Sequence, residues 1–415
     1  MVTNHGESLD SRHLPRMLTR ALGTSRRLSE GDLKCEECLM KGGMVEDLSA
    51  IGIQVISSRC PATVSEISNY MKRAEDALNV VTLVEPDGEV YLQDTSERPP
   101  FAQAPSSCGV NPRLGTNDPE SGCQTNLETI RVTAAWELIR KFNRTRPLEE
   151  VVVAVIDSGV DTKHPDLIKQ FWRHPVDGSI GYNFIENNTD VTDLNGHGTV
   201  CAGIIAAETN NSIGVAGIAG VSNVKLMILR FLDEQRLGFI TDALRALNFA
   251  VKMGAQISSN SYGSYSDSVI YRNAVINAAA KGHVVITVSG NDGLSLDTNP
   301  VFPCSYVDVP TLLCTAATNS GPNIALYPLS NVGSAVNILA PGINIRSTFP
   351  GGYDNLTGTS AAGPHVAATA ALLASLGLKG QEIRDSIVES ARSVLDNQPP
   401  LLDAGEAVMR ALSCV

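Results

Sequence analysis

The chain has 415 residues, 43% of them hydrophobic and 18% charged, with a formal net charge of -12 and a pI near 5.1. That balance excludes a disordered chain, and without a clustered Lys/Arg tract it argues against nucleic acid as a partner. No stretch approaches the roughly 20 consecutive apolar residues that cross a bilayer, so no transmembrane segment is expected.

In chain order, residues 1–48 read as a polar, poorly ordered leader without a continuous apolar run, so no secretory signal is read there. Residues 49–93 read as a small α+β unit: IGIQVISS is a strand, SEISNYMKRAEDALNV an amphipathic helix, and VVTLVEPDGEVYLQ one or two strands about a Pro-Asp-Gly turn. Residues 94–126, dense in Pro, Gly, Ser and Asn, read as a linker. Residues 127–415 alternate between strand and helix patterns. VVVAVI (151–156) is an unbroken run suited to a strand buried on both faces, and NVKLMILRFL, GAQISSNSYG and HVVITVSG continue the series. Helical segments such as TDALRALNFAVKMG and DSVIYRNAVINAAAKG lie between them. The expected fold is α/β, a doubly wound and mostly parallel sheet whose ligand site lies beyond the carboxyl ends of the strands.

Nine cysteines leave at least one unpaired within the chain. The spacings Cys108 to Cys123 and Cys304 to Cys314 suit either disulfides or buried thiols. Cys35 and Cys38 form a lone C-x-x-C with no second half, which falls short of a zinc site.

Three positions carry chemistry. Asp157 ends the VVVAVI strand, where a buried carboxylate needs a hydrogen-bonding partner such as an imidazole N–H. His197 stands between two glycines in NGHGTVCAG, ahead of a small-residue helix. Ser360, in LTGTSAAGPHVA, lies near the start of a helix, where backbone N–H groups and the dipole favour negative charge; Pro364 is expected in the first turn. Alone, these also read as a turn Asp, a structural His and a Ser N-cap.

Together, DSGV, HGTVCAG and GTSAAGPHVA in that order resemble the three active-site signatures of the subtilase family (peptidase S8). The Asp…His…Ser order is the one known from subtilisin itself. The resemblance covers about residues 125–410 and implies a serine endopeptidase with Asp157, His197 and Ser360 as its triad. It departs from the family at Val200 and at Ala361-Ala362, which bears on subsite shape more than on catalysis. Asn291 in TVSGNDG matches the family's oxyanion-hole asparagine. Ser261, Tyr262 and Gly263, with Gly290 opposite, match the segments that bind polypeptide substrates in extended form. Asp166, Asn211, Ile213 and Val215 match a structural Ca2+ site, with a further ligand expected near Gln124. His164 and His365 are expected to be structural.

The 49–93 unit resembles the end of subtilase propeptides, which implies a self-processing zymogen, cut within the linker, with its own propeptide as intramolecular inhibitor. A monomer in a secretory compartment or outside the cell is expected. The competing readings are an inactive subtilase homologue that acts as a binding protein, and an unrelated nucleotide-binding enzyme. The latter lacks a G-x-x-x-x-G-K-[ST] loop.

Overall fold

The computed structural model describes residues 44–57, 65, 67–69, 72, 84–85, 87–92 and 108–413. They fall into two compact units, one of residues 1–88 with 268–277 and one of residues 89–267 with 278–415.

In the first unit β1 (Met44–Leu48) pairs antiparallel with β2 (Ile53–Ser57). Their turn needs Gly52 in the left-handed region at φ 68°, and the Ile51 carbonyl accepts from Asn277 Nδ2 at 2.9 Å. β1 lies inside the stretch read as leader. Its Glu46-Asp47 pair breaks the apolar alternation, so only the pairing with β2 reveals it. The expected helix 65–80 falls largely outside the described residues, as does the first half of VVTLVEPDGEVYLQ.

The second unit opens with β3 (Glu89–Leu92). Residues 108–126 read as linker, yet most of that stretch is fixed in place. Cys108 is disulfide-bonded to Cys123, Asp118 and Ser121 are fully buried, and α1 (Thr125–Thr129) already begins there. Turn-forming composition marks irregular backbone, and here the disulfide and burial order it. α2 (Val132–Asn143) then leads into β4 (Val151–Asp157), buried at every residue. There follow β5 (Gly181–Asn183), α3 (His197–Ala206), β6 (Val224–Arg230), β7 (Leu237–Phe239), α4 (Ile240–Lys252), β8 (Ile257–Asn260) and β9 (Tyr262–Gly263). After α5 (Val269–Ala280), whose residues 269–277 belong to the first unit, come β10 (Val284–Val288), β11 (Leu312–Thr318), β12 (Ile338–Pro341), β13 (Ile345–Phe349) and β14 (Gly352–Leu356). The described chain closes with α6 (Thr359–Ser375), α7 (Gly380–Ser390) and α8 (Ala404–Leu412).

Seven strands form one parallel sheet in the order β12-β11-β10-β8-β4-β6-β5. The chain leaves β4 toward β6 and β5, then returns to β8 on its other side. The crevice at the carboxyl ends of β4 and β8 is therefore a topological switch point. Both faces are covered, and β4, β10 and β11 are buried at every residue. Helix α6 is buried along its whole length, so its alanines and glycine are core rather than surface. The fold is the expected doubly wound α/β sheet.

A separate three-stranded sheet has the order β7-β3-β9, antiparallel throughout, with β3 in the middle. Among the described residues no helix is long and apolar enough to cross a membrane.

Candidate active site

Asp157 is the last residue of β4 and His197 the first of α3; both side chains are 1% exposed. His197 Nδ1 lies 2.8 and 3.0 Å from the two carboxylate oxygens of Asp157. In the neutral imidazole the proton on Nδ1 donates to the carboxylate, which leaves Nε2 with its lone pair. Nε2 is buried and has no hydrogen-bond partner among the described residues. Burial disfavours the imidazolium, but the charge of Asp157 and its hydrogen bond outweigh that and hold His197 well above the ordinary histidine range.

The glycines flanking His197 serve different ends. Gly196 sits at φ 97°, and a Cβ there would lie 2.3 Å from the Phe349 ring. A Cβ on Gly198 would meet the Gly159 carbonyl at 2.2 Å. Asp193, which the motif reading passed over, organises the turn: its carboxylate accepts from the N–H groups of Asn195, Gly196 and Thr199, from Thr199 Oγ1 and from Ser158 Oγ. The signal was the D-x-x-G-H spacing, an acidic group just ahead of a helix start.

Ser360 is the second residue of α6, fully buried, and its Oγ donates to the Ser261 carbonyl at 3.2 Å. Pro364 falls in the second turn of α6, not the first. It has no N–H to offer the Ser360 carbonyl, which is the acceptor four residues earlier. That carbonyl accepts instead from Ser261 Oγ at 3.2 Å, with Cys201 Sγ at 3.7 Å. Cys201 is a buried free thiol lying 3.8 Å from His197 Nδ1, and burial pushes its pKa up.

Asn291 closes the opposite side. Its Oδ1 accepts from the Thr359 N–H at 2.9 Å, which fixes the amide's orientation, because a backbone N–H can bond only the oxygen. Gly290 before it adopts φ 102°. Ser261, Tyr262 and Gly263 are buried, and Tyr262 and Gly263 pair antiparallel with Leu92 and Tyr91.

The calcium candidates converge only in part. Asp166 is fully buried and accepts from Asn211 Nδ2 at 2.8 Å and from the Val215 N–H at 3.0 Å. Ile213 enters through its N–H, which donates to Asn211 Oδ1 at 2.8 Å. Burial, reinforced by the charge of Asp118, raises the Asp166 carboxyl to about 7. Asp118 is also fully buried and accepts from the N–H groups of Asn210 and Asn211. The side-chain amide of Gln124 pairs with both polar atoms of the Ala216 backbone. Two buried carboxylates thus face one loop, and among the described residues no Lys or Arg pairs with either. That donor set fits a hard cation.

His365 is fully buried, bonded to Asn126 and to the Ala361 carbonyl, with its pKa lowered to about 4 by burial. His164 likewise bonds the Gly352 carbonyl. Both are structural in this sense. Cys304 pairs with Cys314, as Cys108 does with Cys123.

The Peptidase_S8 profile, described as the subtilase family, matches residues 149–405. The chain belongs to the subtilase family. This subtilase is 40% identical over 276 residues to the thermophilic serine proteinase of Bacillus sp. (strain AK1), covering 66% of this chain and 63% of that one. It is 35% identical over 280 residues to thermitase of Thermoactinomyces vulgaris, covering 67% of this chain and 92% of thermitase. Among solved structures, a protease of Pseudoalteromonas arctica PAMC 21717 aligns with TM-score 0.59 at 25% identity, covering 71% of this subtilase and 99% of that chain.

Proposed function

We propose that this subtilase is a serine endopeptidase in which Ser360 attacks the scissile carbonyl, His197 carries the proton and Asp157 orients His197. The observation that carries this reading is the fully buried Asp157–His197 pair with an unpartnered Nε2. A buried lone pair without a donor is costly, and a serine hydroxyl turning from Ser261 O toward it would satisfy both groups. Oγ then adds to the carbonyl carbon while its proton passes to Nε2. The imidazolium so formed is stabilised by Asp157 and returns the proton to the leaving amine. The negative charge on the former carbonyl oxygen is met by the Asn291 amide and the N-terminus of α6.

Extended polypeptide is the substrate this cleft suits. Tyr262 and Gly263 offer strand edges, and β3 already occupies such an edge. That pairing supports a zymogen in which the 49–93 segment inhibits the site until cleavage in the 94–126 region. Asp118 and Asp166 would hold a calcium ion, with the Asn211 amide and the main-chain oxygens of Ile213 and Val215 as further candidate ligands. Bound there, the ion would neutralise two buried carboxylates. Two disulfides support a secretory or extracellular setting.

The deciding experiment compares the full wild-type chain with Ser360→Ala, both made with calcium, by intact mass and fluorophosphonate labelling. Loss of about a hundred N-terminal residues and labelling at Ser360 in wild type alone support the reading. A wild type that neither labels nor shortens points to the inactive homologue.

A further inference from the structure

Asn331 is fully buried and lies in no helix or strand, on the irregular segment that precedes β12. Its hydrogen bonds converge on one short stretch of chain. Its N–H donates to the Gly290 carbonyl at 2.9 Å, and its carbonyl accepts from Ser289 Oγ at 2.8 Å. Its side-chain Oδ1 accepts from the N–H groups of Asp292, at 3.0 Å, and Leu294, at 2.9 Å. Its Nδ2 donates to the Ser289 carbonyl at 3.0 Å and to Asp292 Oδ2 at 3.2 Å. The residues on both sides of Asn291 are thereby held, at 289, 290, 292 and 294, by a single asparagine.

We propose that Asn331 is a positioning residue for the oxyanion hole, acting through the backbone that carries Asn291. The inference rests on the function proposed above and deepens it. Asn291 itself is anchored at two levels: Thr359 N–H fixes its amide oxygen, and Asn331 fixes the turn from which the side chain projects. The turn is irregular, with Gly290 at φ 102° and Gly293 at φ 65°, and beyond β10 its backbone is otherwise tied by the Ser289 N–H to the Thr315 carbonyl and by the Gly293 N–H to the Leu329 carbonyl. An amide is needed because the turn presents both inward N–H groups and an inward carbonyl. Asp would lose the donor to Ser289 O and set a charge against Asp292, whereas Ala would leave all the side chain's partners unmet.

A group that only stabilised the fold would cost the same whether or not Asn291 is present. One that acts through Asn291 costs nothing further once that amide is gone. The test is therefore a double-mutant cycle of Asn331→Ala and Asn291→Ala in the full chain, read as kcat and KM on a peptide substrate. Loss of an oxyanion donor costs about 10²–10³ in turnover, a range taken from subtilisin itself. Small displacements of a positioned group cost up to about 10²-fold. The expected result is a kcat lower by about 10- to 100-fold for Asn331→Ala with KM changed less than about threefold, and less than about twofold further loss in the Asn291→Ala background. Equal loss in both backgrounds, or a change confined to KM, overturns the positioning role alone. An Asn291→Ala variant with unchanged kcat overturns the oxyanion reading and this inference with it. Should the alanine variant not fold, Asn331→Ser carries the same comparison.

Discussion

Leu92 lies directly opposite Tyr262, and Tyr91 opposite Gly263, in the antiparallel register of β3 on β9. On its other side β3 pairs with β7, so its backbone is gripped from both edges, with Val90 and Leu92 buried. A peptide spanning residues 85–92 is expected to inhibit the proposed processed form of the enzyme competitively. Burying a leucine contributes about 1.5–3 kcal/mol, so the same peptide with Leu92→Asp should bind at least about tenfold more weakly. Inhibition constants from initial rates decide it; equal constants would sink the idea that β3 marks the substrate path.

The pH profile follows from His197. In the proposed mechanism the unprotonated Nε2 takes the serine proton, so activity is expected to fall as pH drops through the His197 pKa. Asp157 holds that pKa above the ordinary histidine range, against the opposing effect of burial. Asp157→Asn removes the raising charge, so the acid limb of kcat/KM moves to lower pH. Loss of the correct tautomer drops the plateau by about 10⁴. A profile measured from pH 5 to 10 checks both effects.

Metal-free stability has a sign fixed by Asp166. Its folded pKa, raised by burial to about 7, exceeds its unfolded value, so the folded state holds its proton more tightly. The stability this group contributes is full below the unfolded pKa and lost as pH rises through about 7. In chelator, the melting temperature should fall over that window. With calcium the loss should shrink or reverse, and Asp166→Asn should flatten the metal-free slope and abolish the calcium increment. A calcium increment equal at low and neutral pH would contradict the assignment.

Ser261 and Pro364 form a testable couple. Because Pro364 supplies no N–H, Ser261→Ala leaves the Ser360 carbonyl without its hydroxyl donor, at a cost of about 1–3 kcal/mol by denaturant titration. In a Pro364→Ala background the helix can serve that carbonyl, and the cost of Ser261→Ala should shrink. Full additivity would show that the carbonyl never needed the serine.

Much of this was readable in the chain. A short run rich in β-branched residues suits a strand covered on both faces, so VVVAVI placed Asp157 at a sheet end. Glycines at 196 and 198 announced the close packing that seats His197. What escaped was non-local. Asp118, buried beside the 210–215 loop through contacts 92 and 93 residues away, sits in a Pro/Gly-rich stretch that reads as linker. The true turn of Pro364 depended on where α6 begins, and helix starts are the least legible part of a pattern. Asn331 carries no motif at all; only its convergence on 289–294 in space distinguishes it from any other loop asparagine.

The central place of β3 between two edges has a consequence for what this cleft selects. A chain that takes the same place must give up its own backbone partners on both sides over several consecutive residues. A helix has spent those groups internally, and an interior strand has spent them on its neighbours. Local opening in the target, with its own free energy, therefore comes before any side chain is tested. Two proteins with identical scissile sequences would be cut at different rates according to how readily each lets that segment go slack.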